Sequence, residues 1–384
     1  MRLSRLTYSL GLAFLCYGFV IFLFGPCLTA MAETFGVSLG RLGLIFTLYS
    51  VGLIPAVLLS GYLAEVVGRR FMVLGVVLIM GIGSALFAAA PAVGRHPSFA
   101  LALGVVVVLG LGGGGMEALT NIVVADDNRP EPAFALSLTH AFFAIGAVLG
   151  PLVVSGLLGA GRPWQLSFAA GAGLFALLFF VLLPQRMPRA TEEPFPPVAA
   201  LGLLRSRLVW VLLAMIGLYV GAEAGLAAWV SPLMEKTLGS PRDSAGLSVS
   251  VFWAMMIVGR LAVSPLAARL RPPPLLFVLS LGSAASALAV ALAPSAAFCL
   301  VAAGASGLFM SGIFALVLAD ASRHFLERRG AVFGIILTGV GVGSMIFPAL
   351  MGWVADAANL RAALLIPAGL MVVVTAGYLA RWSQ

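Results

Sequence analysis

The sequence predicts an all-α membrane protein: twelve transmembrane helices arranged as two pseudo-symmetric six-helix bundles. Three observations lead there. The 384-residue chain is 61% hydrophobic and only 9% charged, whereas soluble proteins carry roughly 25% charged residues, so most of its surface is made for lipid. Apolar runs of about 20 residues, each enough to cross a bilayer as a helix, recur from end to end. The second half of the chain also repeats the first.

In order, the spans read 7–31, 39–64, 71–90, 98–125, 133–159, 164–183, 208–233, 244–268, 274–293, 295–319, 329–354 and 361–381, each bounded by charge, Pro or Gly. Arg2 and Arg5 before the first run imitate a signal peptide. That run is about twice the roughly 7–15 apolar residues of a signal sequence, so it is read as an uncleaved first span. Between spans six and seven lies PQRMPRATEEPFPPVAALGLLRSR (184–207), the longest polar interval. It divides the chain into an N-terminal bundle (1–183), a cytoplasmic linker (184–207) and a C-terminal bundle (208–384). With the N-terminus inside, sixteen of the 22 Lys and Arg fall in cytoplasmic segments. That bias orients helices in an inner membrane and puts both termini in the cytoplasm.

Several function classes are excluded on composition. The pI of about 10.1 would suit nucleic acid in a soluble domain, but the basic residues form short clusters between apolar runs rather than a continuous surface. Cys16, Cys27 and Cys299 lie inside apolar runs with no CxxC or Cys/His grouping, so neither a metal nor a disulfide is expected. The glycine run 112–115 lacks the Lys-Ser/Thr of a phosphate loop, and no nucleophile–base pair appears, so an enzyme is not expected. No cofactor is expected beyond an ion gradient, of protons or, less directly indicated, of sodium. The expected partners are a small-molecule solute and the lipid bilayer, with no nucleic acid, and the chain is read as a monomer.

GGGMEALTNIVVADDNR (113–129) and GLFMSGIFALVLADASR (307–323) align without a gap. Gly113 matches Gly307, Met116 matches Met310, and both segments exit on Ala-Asp-x-x-Arg, through Asp126 and Arg129 and through Asp320 and Arg323. The following helix repeats more loosely, as GAVLGPLVVSG (146–156) and GSMIFPALMGW (343–353). Duplicated membrane halves of this kind bind solute near the midplane and rock against each other, which channels and membrane enzymes do not require.

GYLAEVVGRRFMVLG (61–75) joins spans two and three. Gly61 permits close helix approach and Gly68 a tight turn. Glu65 and Arg69 can pair by charge-assisted hydrogen bonds, with Arg70 beside them. This stretch resembles the signature loop of the major facilitator superfamily, and the resemblance covers the entire chain. It implies that these residues latch the cytoplasmic side, with the exit charges Asp126, Arg129, Asp320 and Arg323 as further candidates. The second-half counterpart, GRLAVSPLAARLR (259–271), keeps Gly259, Arg260 and Arg269 but has no acid, so Arg260 and Arg269 are the gating candidates there.

Three stretches are similar to the fucose/galactose/glucose:proton symporter branch: YVGAEAGLAAWV (219–230), GGGGMEALTN (112–121) and THAFFAIGAVLGP (139–151). The resemblance implies that Glu117 is a protonatable coupling carboxylate and Asn121 a solute or helix-coupling contact. Proton-coupled members often carry an Asp in span one; residues 7–31 contain no acid.

Glu117 sits about eight residues, or roughly 12 Å, from the cytoplasmic edge of its span. With the span interiors read as free of Lys and Arg, it has no salt-bridge partner, and an ionisable group so placed is functional by default. The alternative is a permanently protonated side chain that bonds a neighbouring helix. Glu223, near the centre of span seven, either binds solute or completes the proton relay; the alternative is that it ties span seven to span eleven. Asn121 lies one turn from Glu117, and His140 can share a proton. Tyr219, Trp229, Trp253 and Tyr49 offer aromatic faces to a solute; Trp164 suits either that role or an interfacial anchor. Sugar hydroxyls need fixed partners, yet the chain has three Asn and three Gln, and of these Asn121 alone is clearly deep in a span. The resulting expectation is a secondary active transporter that takes up a small neutral, hexose-like solute with protons by alternating access. An exporter of amphipathic compounds is the alternative.

Overall fold

The computed structural model describes residues 3–94, 96–128, 132–188, 205–269, 272–324 and 329–382. These form α1 (Arg5–Ile21), α2 (Phe24–Phe35), α3 (Leu39–Leu42), α4 (Leu44–Val67), α5 (Arg69–Ala89), α6 (Phe99–Asp127), α7 (Ala133–Gly159), α8 (Gln165–Leu182), α9 (Arg207–Lys236), α10 (Arg242–Arg269), α11 (Pro272–Ala291), α12 (Ala296–Met310), α13 (Ile313–His324), α14 (Arg329–Ala357) and α15 (Leu360–Trp382). Among the described residues, eleven helices are long and apolar enough to cross a membrane, or twelve if the bent pair α1 and α2 is one span. The expected all-α membrane fold is therefore present.

Among the described residues three spans are interrupted, the second only at Gly43 between α3 and α4. The first bends by 41° between α1 and α2. Pro26 explains the break, because a proline ring clashes with the carbonyl four residues back, here that of Phe22, and offers no N–H to it. The tenth breaks between α12 and α13, where Ser311 turns its hydroxyl onto the Leu308 carbonyl at 2.7 Å, a local bond that competes with the helical ladder. Helix starts follow ordinary capping chemistry. Ser98 accepts from the Leu101 amide and Ser295 from the Phe298 amide, so the fourth span of each half begins on the same kind of N-cap.

The chain forms two compact units, residues 1–36 with 48–199, and residues 37–47 with 200–384. In the first, α1 packs on α7, α5 on α8 and α5 on α6; in the second, α9 packs on α14, α11 on α15 and α11 on α12. These are the pairs of spans one with five, three with six and three with four, followed by their counterparts six spans later, so the repeat read from residues extends to packing. Glycine makes the first of these pairs close in both units. A Cβ on Gly146 would stand 2.0 Å from the Leu15 carbonyl oxygen, and one on Gly343 would stand 2.1 Å from that of Gly217. Small residues at such crossings let backbones touch where lipid supplies no hydrophobic drive.

Within the second unit, residues 38–47 are tied to α14. Asp356 accepts from the Gly40 amide at 2.9 Å and from the Ser38 hydroxyl at 2.5 Å, while Thr47 donates to the Met345 carbonyl. In the first unit, Trp164 is fully buried among Phe35, Phe87 and Phe168 and donates its indole N–H to Thr34. It is a core residue, since an aromatic cluster with a satisfied N–H gains more from burial than from a place at the lipid headgroups.

Candidate functional site

The first unit gathers its polar residues along one row of α6. Gly113, Glu117 and Asn121 follow at four-residue spacing, which stacks them on a single helix face. The Asn121 amide donates to the Glu117 carbonyl at 2.8 Å and lies 3.3 Å from its carboxyl oxygen. The Asn121 amide oxygen stands 3.0 Å from Nε2 of His140 on α7. An amide oxygen only accepts, so Nε2 of His140 must carry the hydrogen in this contact. Phe14 of α1 holds the imidazole edge-on, with ring centroids 5.3 Å apart. Carboxyl, amide and imidazole thus form one hydrogen-bonded chain across two helices.

At the other end of the row, a Cβ on Gly113 would lie 1.9 Å from the Tyr49 hydroxyl. The absent side chain is what admits Tyr49, whose hydroxyl donates to that of Tyr17 at 3.3 Å. Both phenols lie within electrostatic reach of Glu117. Tyr17 is a member of this cluster that the residue pattern does not single out. The available signal is its place one turn beyond Phe14, in a span that carries no acid.

The second unit has a different cluster. Tyr219 and Glu223 occupy successive turns of α9; the Tyr219 hydroxyl donates to the Met310 carbonyl at 3.1 Å and interacts electrostatically with the Glu223 carboxyl. Met310 is the residue at which span ten breaks, so this carbonyl has lost its helical partner. Arg260 of α10 acts electrostatically on both Glu223 and Tyr219. Here the structure corrects the expectation of cation-free span interiors. Arg260 falls within a helical segment, Arg242–Val263, that is apolar and long enough to cross.

The aromatic candidates of this unit lie in its packing. Trp229 is buried, donates to the Pro348 carbonyl at 2.9 Å, and covers Gly352 of α14. Trp253 is buried with its ring perpendicular to Phe252.

The signature loop is built as its residue types suggest. Gly68 takes φ of 106°, a conformation that side chains resist, and so starts α5 immediately after α4. Arg69, 7% exposed, bonds Glu65 at 2.7 Å and Asp126 at 2.5 Å, joining α4, α5 and α6. Arg70 donates to the Leu183 carbonyl. Gly61 leaves room for Ile122 of α6. Asp127, which the sequence motifs do not mark, accepts from the hydroxyls of Ser4 and Thr7 at the start of α1. Arg129 lies outside the described residues, as do the side chains of Arg269, Asp320 and Arg323.

Comparison with known proteins is consistent along the whole chain. The family model described as Major Facilitator Superfamily matches residues 10–296 and 212–383. The 3-(3-hydroxy-phenyl)propionate transporter of Escherichia coli K12 is 28% identical, over 91% of this chain and 87% of that protein. Among solved structures, a mutant of the nucleoside transporter NupG superposes with a TM-score of 0.82 at 15% identity, over 98% of this chain and 99% of that one. A mutant of the E. coli fucose:proton symporter FucP does so with 0.67 at 19%, over 98% of each. The chain belongs to the Major Facilitator Superfamily of membrane transporters.

Proposed function

We propose that this protein is a secondary active transporter that couples uptake of a small organic solute to protons by alternating access. It is a multi-pass protein of the inner membrane with both termini cytoplasmic. The observation that carries the reading is the chain Glu117–Asn121–His140. A carboxyl deep in a span is held by a fixed amide, which an imidazole orients in turn, without a permanent countercharge. Neutralising Glu117 removes the charge that penalises closing a dry site around the solute. Glu223, with Tyr219, is the corresponding acid of the second unit. The contacts of Arg69 with Glu65 and Asp126, together with Gly61, Gly68 and Arg70, form the cytoplasmic gate; Arg129, Arg269, Asp320 and Arg323 are assigned to it by sequence alone.

A hexose-like neutral solute is supported by the three branch-like stretches and by the likeness of fold to FucP. A less hydroxylated organic molecule is supported by the scarcity of amides and by the 28% identical relative, a transporter of 3-(3-hydroxy-phenyl)propionate. Purified protein in proteoliposomes with an internal pH dye tests the coupling. Solutes of both classes are added outside, and uptake of one of them should acidify the lumen and weaken as the external pH rises. Full concentrative uptake by Glu117→Gln would sink the assignment of the coupling carboxyl.

A further inference from the structure

Arg260 carries a charge that the proton chain of the first unit leaves unused. It is nine residues before the Arg269 end of α10, about 13 Å of helix, and its side chain keeps partial exposure. A guanidinium presents five N–H donors and does not give up its proton, so at such depth it needs an acceptor. Among the described residues Arg260 makes no ion pair, and its hydrogen-bond partner is the Met256 sulfur at 3.6 Å, a weak acceptor. Three other cations of this unit have stronger partners: Glu235 pairs with Lys236 and Arg242, and Arg361 donates to the carbonyls of Ala291 and Ala293. Glu223 influences Arg260 through space without pairing with it.

The geometry points to Arg260 as the docking cation for the carboxylate of a small organic monoanion, with Glu223 taking up the accompanying proton in the same cluster. This rests on the proton-symport reading and narrows its solute class. The charge count supports it. With Glu223 ionised, the pair Arg260 and Glu223 sums to zero, and an arriving carboxylate makes the cluster net negative. One proton on Glu223 restores the neutrality of this cluster, so each bound anion brings one proton here in addition to the proton on Glu117. A dianion such as a phosphate monoester needs a second cation, and among the described residues no cation of this unit other than Arg260, three residues from the Val263 end of its segment, lies more than two residues inside a crossing segment.

The groups acting on Glu223 are Arg260 from α10 and Tyr219 from its own helix. Tyr219 has one hydroxyl proton and two acceptors. When Glu223 is ionised, that proton is drawn to the carboxylate; when Glu223 carries its own proton, Tyr219 donates to the Met310 carbonyl. Filling the Arg260 site therefore also satisfies the break in span ten.

The test uses the purified full chain and matched acid and neutral probes: galacturonate with galactose, benzoate with benzamide, and hexanoate with hexanamide. Binding is read by thermal shift and calorimetry. At least one acid should bind more tightly than its neutral partner, by about tenfold or more, as expected for a hydrogen-bonded charge. Arg260→Gln should abolish that preference, and Arg260→Lys should retain part of it. Acid binding should strengthen as pH falls, and Glu223→Gln should flatten that dependence. Equal binding of acid and neutral partner, unchanged acid binding by a folded Arg260→Gln, or binding by none of the acids would each overturn the inference. Arg260-dependent acid binding without proton entry into proteoliposomes sinks symport and keeps the anion site. Proton-coupled entry of a neutral hexose that ignores Arg260→Gln does the reverse.

Discussion

Glu117 and Glu223 occupy the two halves of a duplicated fold, yet their surroundings differ in kind. The acid of α6 meets an amide, with an imidazole beyond it and two phenols nearby. The acid of α9 meets a phenol and the field of a guanidinium. The repeat preserves helix pairing, as in α1 with α7 and α9 with α14, but not the polar inventory carried on it. A shared scaffold therefore constrains where ionisable groups can be placed and leaves open how each is neutralised.

The comparison can be broken most directly at the acids. Glu117→Gln should abolish concentrative uptake while leaving solute counterflow, measured in the same proteoliposomes, because exchange requires no net proton movement. If counterflow also vanishes, Glu117 holds structure or solute rather than the coupled proton. The next largest effect concerns charge pairing. Arg69→Ala strands Glu65 and Asp126 and should cost about 3 kcal/mol in a detergent unfolding assay, whereas Arg260→Gln, with no ion pair to lose, should leave the unfolding midpoint unchanged or raised. A large loss in Arg260→Gln would mean that the guanidinium serves packing.

Smaller effects sharpen the local geometry. Gly113→Ala must displace Tyr49 and should destabilise the protein by about 1–3 kcal/mol, the usual cost of overpacking, with Tyr49→Phe in the same background restoring part of it. Tyr219→Phe removes one hydroxyl from Met310 and Glu223 and should cost about 1 kcal/mol. Its more telling readout is acid binding, which should keep its Arg260 dependence and change its pH profile.

Features set by neighbours along the chain are legible in the letters themselves. Glu65 and Arg69 are four residues apart, and Gly68 stands where only glycine accepts the backbone, so the two charges pair across a turn that the residue order already specifies. Helical spacing alone places Asn121 beside Glu117. Its bond to His140 is not legible, because 19 residues and a separate helix intervene. Tyr17 is hidden for the same reason. Trp229 and Trp253 mark the limit of inference from residue type: large aromatics suit either a solute or a core, and the structure adds that both are buried within their own unit. Arg260 lies inside the span read as 244–268 yet counts as a cytoplasmic charge in the orientation tally, because hydropathy fixes the apolar stretch and not where the bilayer edge crosses it.

By itself, the order of residues determined the solvent, the number of crossings, the duplication and the turn chemistry, since each depends on transfer free energy or on contacts within a turn or two. The tertiary structure decided which side chains share a hydrogen bond, what partner each described cation meets and which aromatics are enclosed. Those outcomes depend on helix rotation and axial shift, and in a chain apolar on nearly every face the hydrophobic pattern cannot fix either; close packing of small residues and a handful of polar contacts must.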